Sequence, residues 1–105
     1  MKYYIATSTS RAPAHNRLRD LLNGLGHEIT YDWTTHGSVR ETSAGRLGQV
    51  ARAELQAIRE ADFVVVLLPG GKGTHTELGF SLAAQKTVFL HSEDPAAFLP
   101  GPEVC

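Results

Sequence analysis

The chain has 105 residues, enough for one domain near the lower end of what buries a comfortable core. Hydrophobic content of 42%, charged content of 20% and a net charge of −1 suit a soluble globular protein, and the basic block that a nucleic-acid groove needs is missing. Cys105 is the only cysteine, which excludes an internal disulfide, and no apolar run approaches the ~18 residues of a membrane span. The start of the chain does not read as a signal peptide, so a cytoplasmic protein with no membrane or nucleic-acid partner is expected. The five histidines, His15, His27, His36, His75 and His91, are scattered without ligand spacing. They are expected at the solvent surface, with no metal and no cofactor.

Lys2–Thr7 is rich in β-formers and predicts a first strand. Ser8–Pro13 is a polar loop, with Pro13 placed for the first turn of a helix. From Ala14 to Leu25, Leu18, Leu21, Leu22 and Leu25 recur at helical spacing, and Gly24 and Gly26 end the helix. His27–Trp33 alternates as a second strand. Thr34–Gly45 shows no period and is long for a connection in so small a domain, the kind of loop that tends to be functional or mobile.

Ala44–Ala61 predicts a long helix. Leu47, Val50, Ala51, Leu55, Ile58 and Ala61 share one arc of the wheel, and Glu54 falls in the middle of it. Burying an unpaired carboxylate costs several kcal/mol. Either the helix is tilted so that Glu54 reaches water or an arginine, or the stripe borders a cleft into which Glu54 points.

Asp62–Leu68 is apolar throughout, as a strand covered on both faces would be. The turn Pro69–Thr74 is glycine-rich, and the helix after it is expected to turn Leu78, Leu82 and Ala83 inward. Thr87–Leu90 predicts a fourth strand. The tail, His91–Cys105, holds Pro95, Pro100 and Pro102 and at most a short helical turn near Ala96–Leu99. Alternating strands and helices predict an α/β fold, a small doubly wound (Rossmann/flavodoxin-like) parallel sheet of four strands in order 2-1-3-4 with flanking helices. A single domain over 1–105 is expected.

That order places the loops after strands one and three at one crevice, the switch point where such sheets bind ligands. Free N–H groups of Gly70, Gly71, Lys72, Gly73 and Thr74, with Ser8 opposite, would suit a phosphate or sugar. Glu77 has two readings. With Thr74 as N-cap it completes a capping box and complements the helix dipole by ~0.3–1 kcal/mol. Alternatively it is a nucleophile at the crevice, with Glu54 as the second carboxyl group of a retaining glycosyl transfer, which needs the two ~5–5.5 Å apart.

The strand-one tyrosine, an acidic residue on the helix before Asp-Phe-Val-Val-Val, and Gly73-Thr74-x-x-Glu77-Leu78-Gly79 together resemble the nucleoside 2-deoxyribosyltransferase family, which includes deoxynucleoside 5′-monophosphate N-glycosidases. The resemblance spans roughly residues 2–91. It implies that Glu77 is the nucleophile, Tyr4 the phenol that hydrogen-bonds it, and Glu54 the counterpart of the family's usual aspartate. It also implies a small-molecule nucleoside or nucleotide substrate and a homodimer or higher homo-oligomer, which would hide Trp33, Phe80 and Phe98. The turn departs from the family's transferases, which carry an acidic residue six positions before the nucleophile. Pro69–Glu77 is also similar to the PGGxGTxxE motif of LOG-type phosphoribohydrolases, which bind a nucleoside monophosphate at that turn. The remaining alternative is a non-catalytic nucleotide-binding or sensing domain. A receiver-type module would need an aspartate where Thr7 stands.

Overall fold

The computed structural model describes residues 1–36 and 44–92, with side chains described for 1–35 and 50–92. Most of the Thr34–Gly45 connection, the tail from 93 with its expected turn, and Phe98 lie outside the described residues. The elements are β1 (Lys2–Ala6), α1 (Ala12–Gly24), β2 (Glu28–Ile29), α2 (Ala44–Glu60), β3 (Phe63–Leu68), α3 (Lys72–Ala83) and β4 (Thr87–Ser92), with single 3-10 turns at Thr9–Arg11 and Trp33–His36. The four strands form one parallel sheet in the order β2-β1-β3-β4, as expected.

The apolar run of β3 sends alternate side chains to opposite faces of the sheet. Val64 and Val66 join Tyr4 and Ala6 of β1 beneath Ala57, Ile58 and Ala61 of the α2 region, with Leu78 and Phe80 of α3 packed alongside. Phe63, Val65 and Leu67 join Tyr3 and Ile5 beneath Ala14, Leu18 and Leu22 of α1. The sheet is therefore covered by α2 and α3 on one face and by α1 on the other. That double cover is why β3 could be read as buried from its composition alone.

Five sequence expectations change. β2 is only two residues long, because the chain leaves the ladder after Ile29 and coils into the 3-10 turn carrying Trp33. Leu21 and Leu25 of the α1 leucine pattern are exposed, since Leu18 and Leu22 already fill the contact with the sheet. Leu82 and Ala83 also face outward, and the buried stripe of α3 is Thr74, Glu77 and Ser81, polar at helical spacing. His15 is fully buried rather than solvent-exposed. Trp33 and Phe80, expected to need a partner subunit, are partly buried against the core of their own chain. No helix among the described residues is long and apolar enough to cross a membrane.

Two glycines are required by geometry. Gly26 adopts φ of +92°, closing α1 while the N–H of His27 donates to the Leu22 carbonyl at 3.0 Å. Gly70 follows Pro69, which has a cis bond to Leu68, and a Cβ at Gly70 would collide with the Thr74 side chain. Thr74 is buried on α3 and β-branched, so it has little freedom to yield. Gly70→Ala is expected to destabilise the fold by about 1–3 kcal/mol, an overpacking cost. Gly73→Ala meets open space and should stay within about 0.5 kcal/mol of the parent. Urea unfolding of both variants checks the contrast, and equal stabilities would contradict it.

Candidate active site

The carboxyl ends of β1 and β3, the central neighbours of the sheet, open into a cleft of about 820 Å³. Thr7, Ser8, Thr9 and Ser10 line it from the β1 loop, and Gly71, Lys72, Gly73, Thr74 and Glu77 from the start of α3. Val50, Ala51 and Glu54 of α2 and Trp33 complete the wall. Thr7 ties the two strand ends together, its hydroxyl donating to the Leu67 carbonyl at 2.9 Å.

Glu77 does not cap its helix. α3 begins earlier than the capping box required, with Gly71 at the N-cap and no side-chain cap, so Thr74 lies inside the first turn and Glu77 in the second. Glycine is a poor helix former in general. In a first turn, however, its N–H is unpaired anyway, and the helix tolerates Gly73 there. From the second turn Glu77 points inward and is only 8% exposed. The Tyr4 hydroxyl donates to its Oε2 at 2.8 Å.

Glu54 is half-buried on α2 and lies beside Glu77, the two carboxyls interacting strongly enough to titrate together. The apolar stripe of α2 therefore does border a cleft. Burial, and then the Glu54 charge, push the Glu77 carboxyl up to about 8. Burial also raises the Glu54 carboxyl. Burial and the charge of Glu77 hold the Tyr4 phenol well above its usual range, so it stays protonated and acts as a donor. Two acids that share one enclosed space keep one proton between them near neutral pH, and that proton belongs to the pair.

The sequence candidates Tyr4, Glu54, Glu77, Ser8, Gly71, Lys72, Gly73 and Thr74 thus converge here, Tyr4 from below the cleft floor. Gly70 does not line it; its place is against Thr74. The start of α3 carries no side-chain cap, and Lys72, Gly73 and Thr74 of its first turn line the cleft together with Ser8, Thr9 and Ser10. Among the described residues, no group of three or more His, Cys, Asp or Glu side chains could hold a metal ion.

Sequence reasoning missed the wall formed by Trp33 and the residues behind it. The indole N–H donates to the Ile5 carbonyl at 3.0 Å, and the His15 ring meets the indole edge-on at 4.7 Å. Arg19 bonds Asp32 at 2.7 Å, and the Thr34 hydroxyl donates to Asn16 Oδ1 at 3.0 Å, so α1 grips the residues on both sides of Trp33. The available signal was the helical spacing of His15, Asn16 and Arg19 on one turn of α1.

A doubly wound sheet with a carboxyl pair at its switch point and a glycine-rich helix start beside it defines an α/β protein built to bind and transform a small polar ligand. The family model for nucleoside 2-deoxyribosyltransferases matches residues 4–101, and the chain belongs to that family. A 2-deoxyribosyltransferase from the psychrotolerant bacterium Bacillus psychrosaccharolyticus is similar in structure, with a TM-score of 0.78 and 23% identity over 90% of this chain and 74% of that one. A CMP N-glycosidase of Clostridium botulinum, BcmB, has a TM-score of 0.61 and 19% identity over 94% of this chain and 75% of that one. At these identities the two structures bear on the fold. Among curated proteins none matches the sequence significantly. Family membership places the protein among those that act on nucleosides or nucleotides by glycosyl transfer or cleavage.

The raised Glu77 carboxyl has a consequence for stability. Between the usual carboxylate range and about 8, the folded chain holds a proton that the unfolded chain releases. The associated stability is complete at low pH and is lost as pH rises through 8. Glu77→Gln removes the titration, so it should gain stability over the parent as pH rises from 5 to 9, by about 1–2 kcal/mol with the shift divided across the pair. Thermal unfolding of both proteins across that range provides the check, and a constant difference would show that Glu77 is not held protonated.

Proposed function

We propose that the protein cleaves or transfers the N-glycosidic bond of a (deoxy)nucleoside or nucleoside 5′-monophosphate, with Glu77 as the nucleophile. The observation that carries this is the buried Glu77 carboxyl, turned away from its helix start, bonded by Tyr4 and paired with Glu54 in the cleft. A carboxylate used for capping has no need of a phenol donor from the neighbouring strand or of a second acid beside it.

In the reactive state the shared proton sits on Glu54 and Glu77 is ionised. A Glu77 oxygen attacks the anomeric carbon as the C1′–N bond breaks, and the bonding electrons leave with the base. Glu54 delivers its proton to that base. The product is a glycosyl ester on Glu77, the covalent stage of a retaining double displacement. Ionised Glu54 then takes a proton from water while the water oxygen attacks C1′, which frees Glu77. A second base in the place of water gives transfer, its N–H proton passing to Glu54. Tyr4, bonded to Oε2, orients the nucleophile and leaves the other oxygen for attack.

The first turn of α3 and the hydroxyls of Ser8, Thr9 and Ser10 supply donors suited to a 5′-phosphate, with Lys72 adding charge. A phosphorylated substrate is therefore the favoured form.

Incubation with nucleosides and their 5′-monophosphates, with free base measured in the presence and absence of an acceptor base, tests the proposal. Glu77→Ala and Glu77→Gln should lower base release by about 10³-fold or more while the fold persists. Tyr4→Phe should lower it about ten- to a hundred-fold, as expected for loss of a bond to a charged group. The parent's rate should fall on the alkaline side of about 8, where the pair loses its shared proton. Base release at the parent rate by either Glu77 variant would sink the nucleophile.

A separate measurement addresses the phosphate. Lys72→Ala should raise KM for a monophosphate about five- to tenfold and leave the unphosphorylated nucleoside unchanged, as for one lost charge-assisted contact. Equal effects on both would remove the phosphate from this end of the cleft.

A further inference from the structure

The lining of the cleft is of two kinds. The start of α3 and the β1 loop contribute backbone N–H groups, hydroxyls and Lys72. Trp33 with Val50 and Ala51 of α2 contributes aromatic and apolar surface. Glu77, bonded by Tyr4 of β1, lines the same cleft. A nucleotide has two kinds of surface to match, an anionic phosphate and a flat base, with the scissile carbon between.

Trp33 is fixed to an unusual degree for a residue that follows a two-residue strand. Its indole N–H is bound to the Ile5 carbonyl, and α1 holds its neighbours Asp32 and Thr34 through Arg19 and Asn16. His15 is fully buried against the indole, in an edge-on contact with an interplanar angle of 64°. The His15 Nδ1–H donates to Asn16 Oδ1 at 3.1 Å, while Nε2 is buried without a hydrogen-bond partner among the described residues. An orphaned buried acceptor is unfavourable, and an aliphatic side chain would avoid it. What the imidazole supplies is a flat edge against the indole together with the bond to Asn16. A plane held in advance binds a flat ligand better, because no side-chain freedom is lost on binding.

We propose that Trp33 is the stacking platform for the nucleobase and that His15 is the positioning residue that fixes its plane. The inference rests on the reading that the cleft takes a nucleoside or nucleotide, and it adds which residue meets the base and what holds that residue in place. The base then lies against the indole on the α2 side, and the phosphate points toward Gly71–Thr74.

Trp33 is the only tryptophan in the chain, so intrinsic fluorescence reports on it alone. The Glu77→Gln protein is titrated with deoxycytidine and deoxyguanosine 5′-monophosphates and with 2-deoxyribose 5-phosphate, which has no base. Both nucleotides should quench the emission saturably. The sugar phosphate should displace them without quenching on its own. In the unmutated background, Trp33→Leu should raise KM about tenfold with kcat within about threefold, in the range for one stacked base, and Trp33→Phe should restore most of it. His15→Ala should weaken nucleotide binding about threefold or more and diminish the near-ultraviolet circular dichroism of the indole. His15→Phe, which keeps a flat ring, should recover both.

Nucleotides that bind by calorimetry without changing the fluorescence overturn the platform, as does a Trp33→Leu protein with an unchanged KM. A His15→Ala protein that binds like the parent overturns the positioning role. Quenching without base release from the unmutated protein keeps the platform and refutes the glycosidic reaction, so the two failures are distinguishable.

Discussion

Glu54 and Glu77 come from different helices and meet in one poorly solvated space above β1, and much of the local structure follows from accommodating them. An uncompensated buried charge costs several kcal/mol. Here the compensation is a phenol donor from the strand below and a proton held between the two acids. The buried face of α3 is polar for the same reason. Thr74 packs on the glycine turn, Glu77 enters the cleft, and the Ser81 hydroxyl closes on the Glu77 carbonyl at 2.7 Å, so the stripe that would normally be leucine is given over to the site. Thr74, Glu77 and Ser81 add little hydrophobic stabilisation, which leaves the core of that face to Tyr4, Ala6, Val64, Val66 and the residues of α2. Stability is given up where the proposed chemistry is placed.

The sheet makes that arrangement rigid enough to matter. β1 and β3 are the central strands, and their carboxyl ends are joined by the Thr7–Leu67 bond at the point where the cleft opens. The Gly70–Thr74 contact sets how closely the turn approaches α3, and hence where Glu77 falls along the cleft. From the opposite face of the sheet, α1 reaches past β1 to hold the Trp33 segment. The Trp33 wall of the cleft is thus fixed by an element other than the one that supplies it.

Much of this was legible in the chain. The apolar run of β3, the β-rich start and the glycine turn gave the strand order and the crevice, because a strand covered on both faces must be apolar and a parallel sheet constrains its connections. Glu54 stood out because a carboxylate in an apolar arc needs a reason. The length of β2 was hidden, since Tyr31 and Trp33 alternate like strand residues yet serve the core from a coiled segment. The inward face of α3 was hidden because periodicity detects apolar stripes, and this one is polar. The capping box at Thr74–Glu77 was a true sequence pattern in the wrong register, displaced when the helix extended back through Gly73. His15 looked like a surface residue because nothing local to it announces that Trp33, eighteen positions on, will cover it.

The raised proton affinity of Glu77 is at odds with the proposed role of nucleophile, which must be ionised, yet the conflict is confined to the cleft before positive charge develops in it. There, burial and the neighbouring acid favour the neutral form. As the C1′–N bond of a bound substrate lengthens, positive charge develops on the ribosyl ring, and that charge favours an ionised carboxylate next to it. In the proposed reaction the proton passes to the neighbouring Glu54 and from there to the departing base. The arrangement that makes ionised Glu77 unfavourable at rest therefore strengthens its interaction when charge appears, because both effects come from the same poorly solvated surroundings. A solvent-exposed capping glutamate would be ionised more readily and would gain far less from the developing charge.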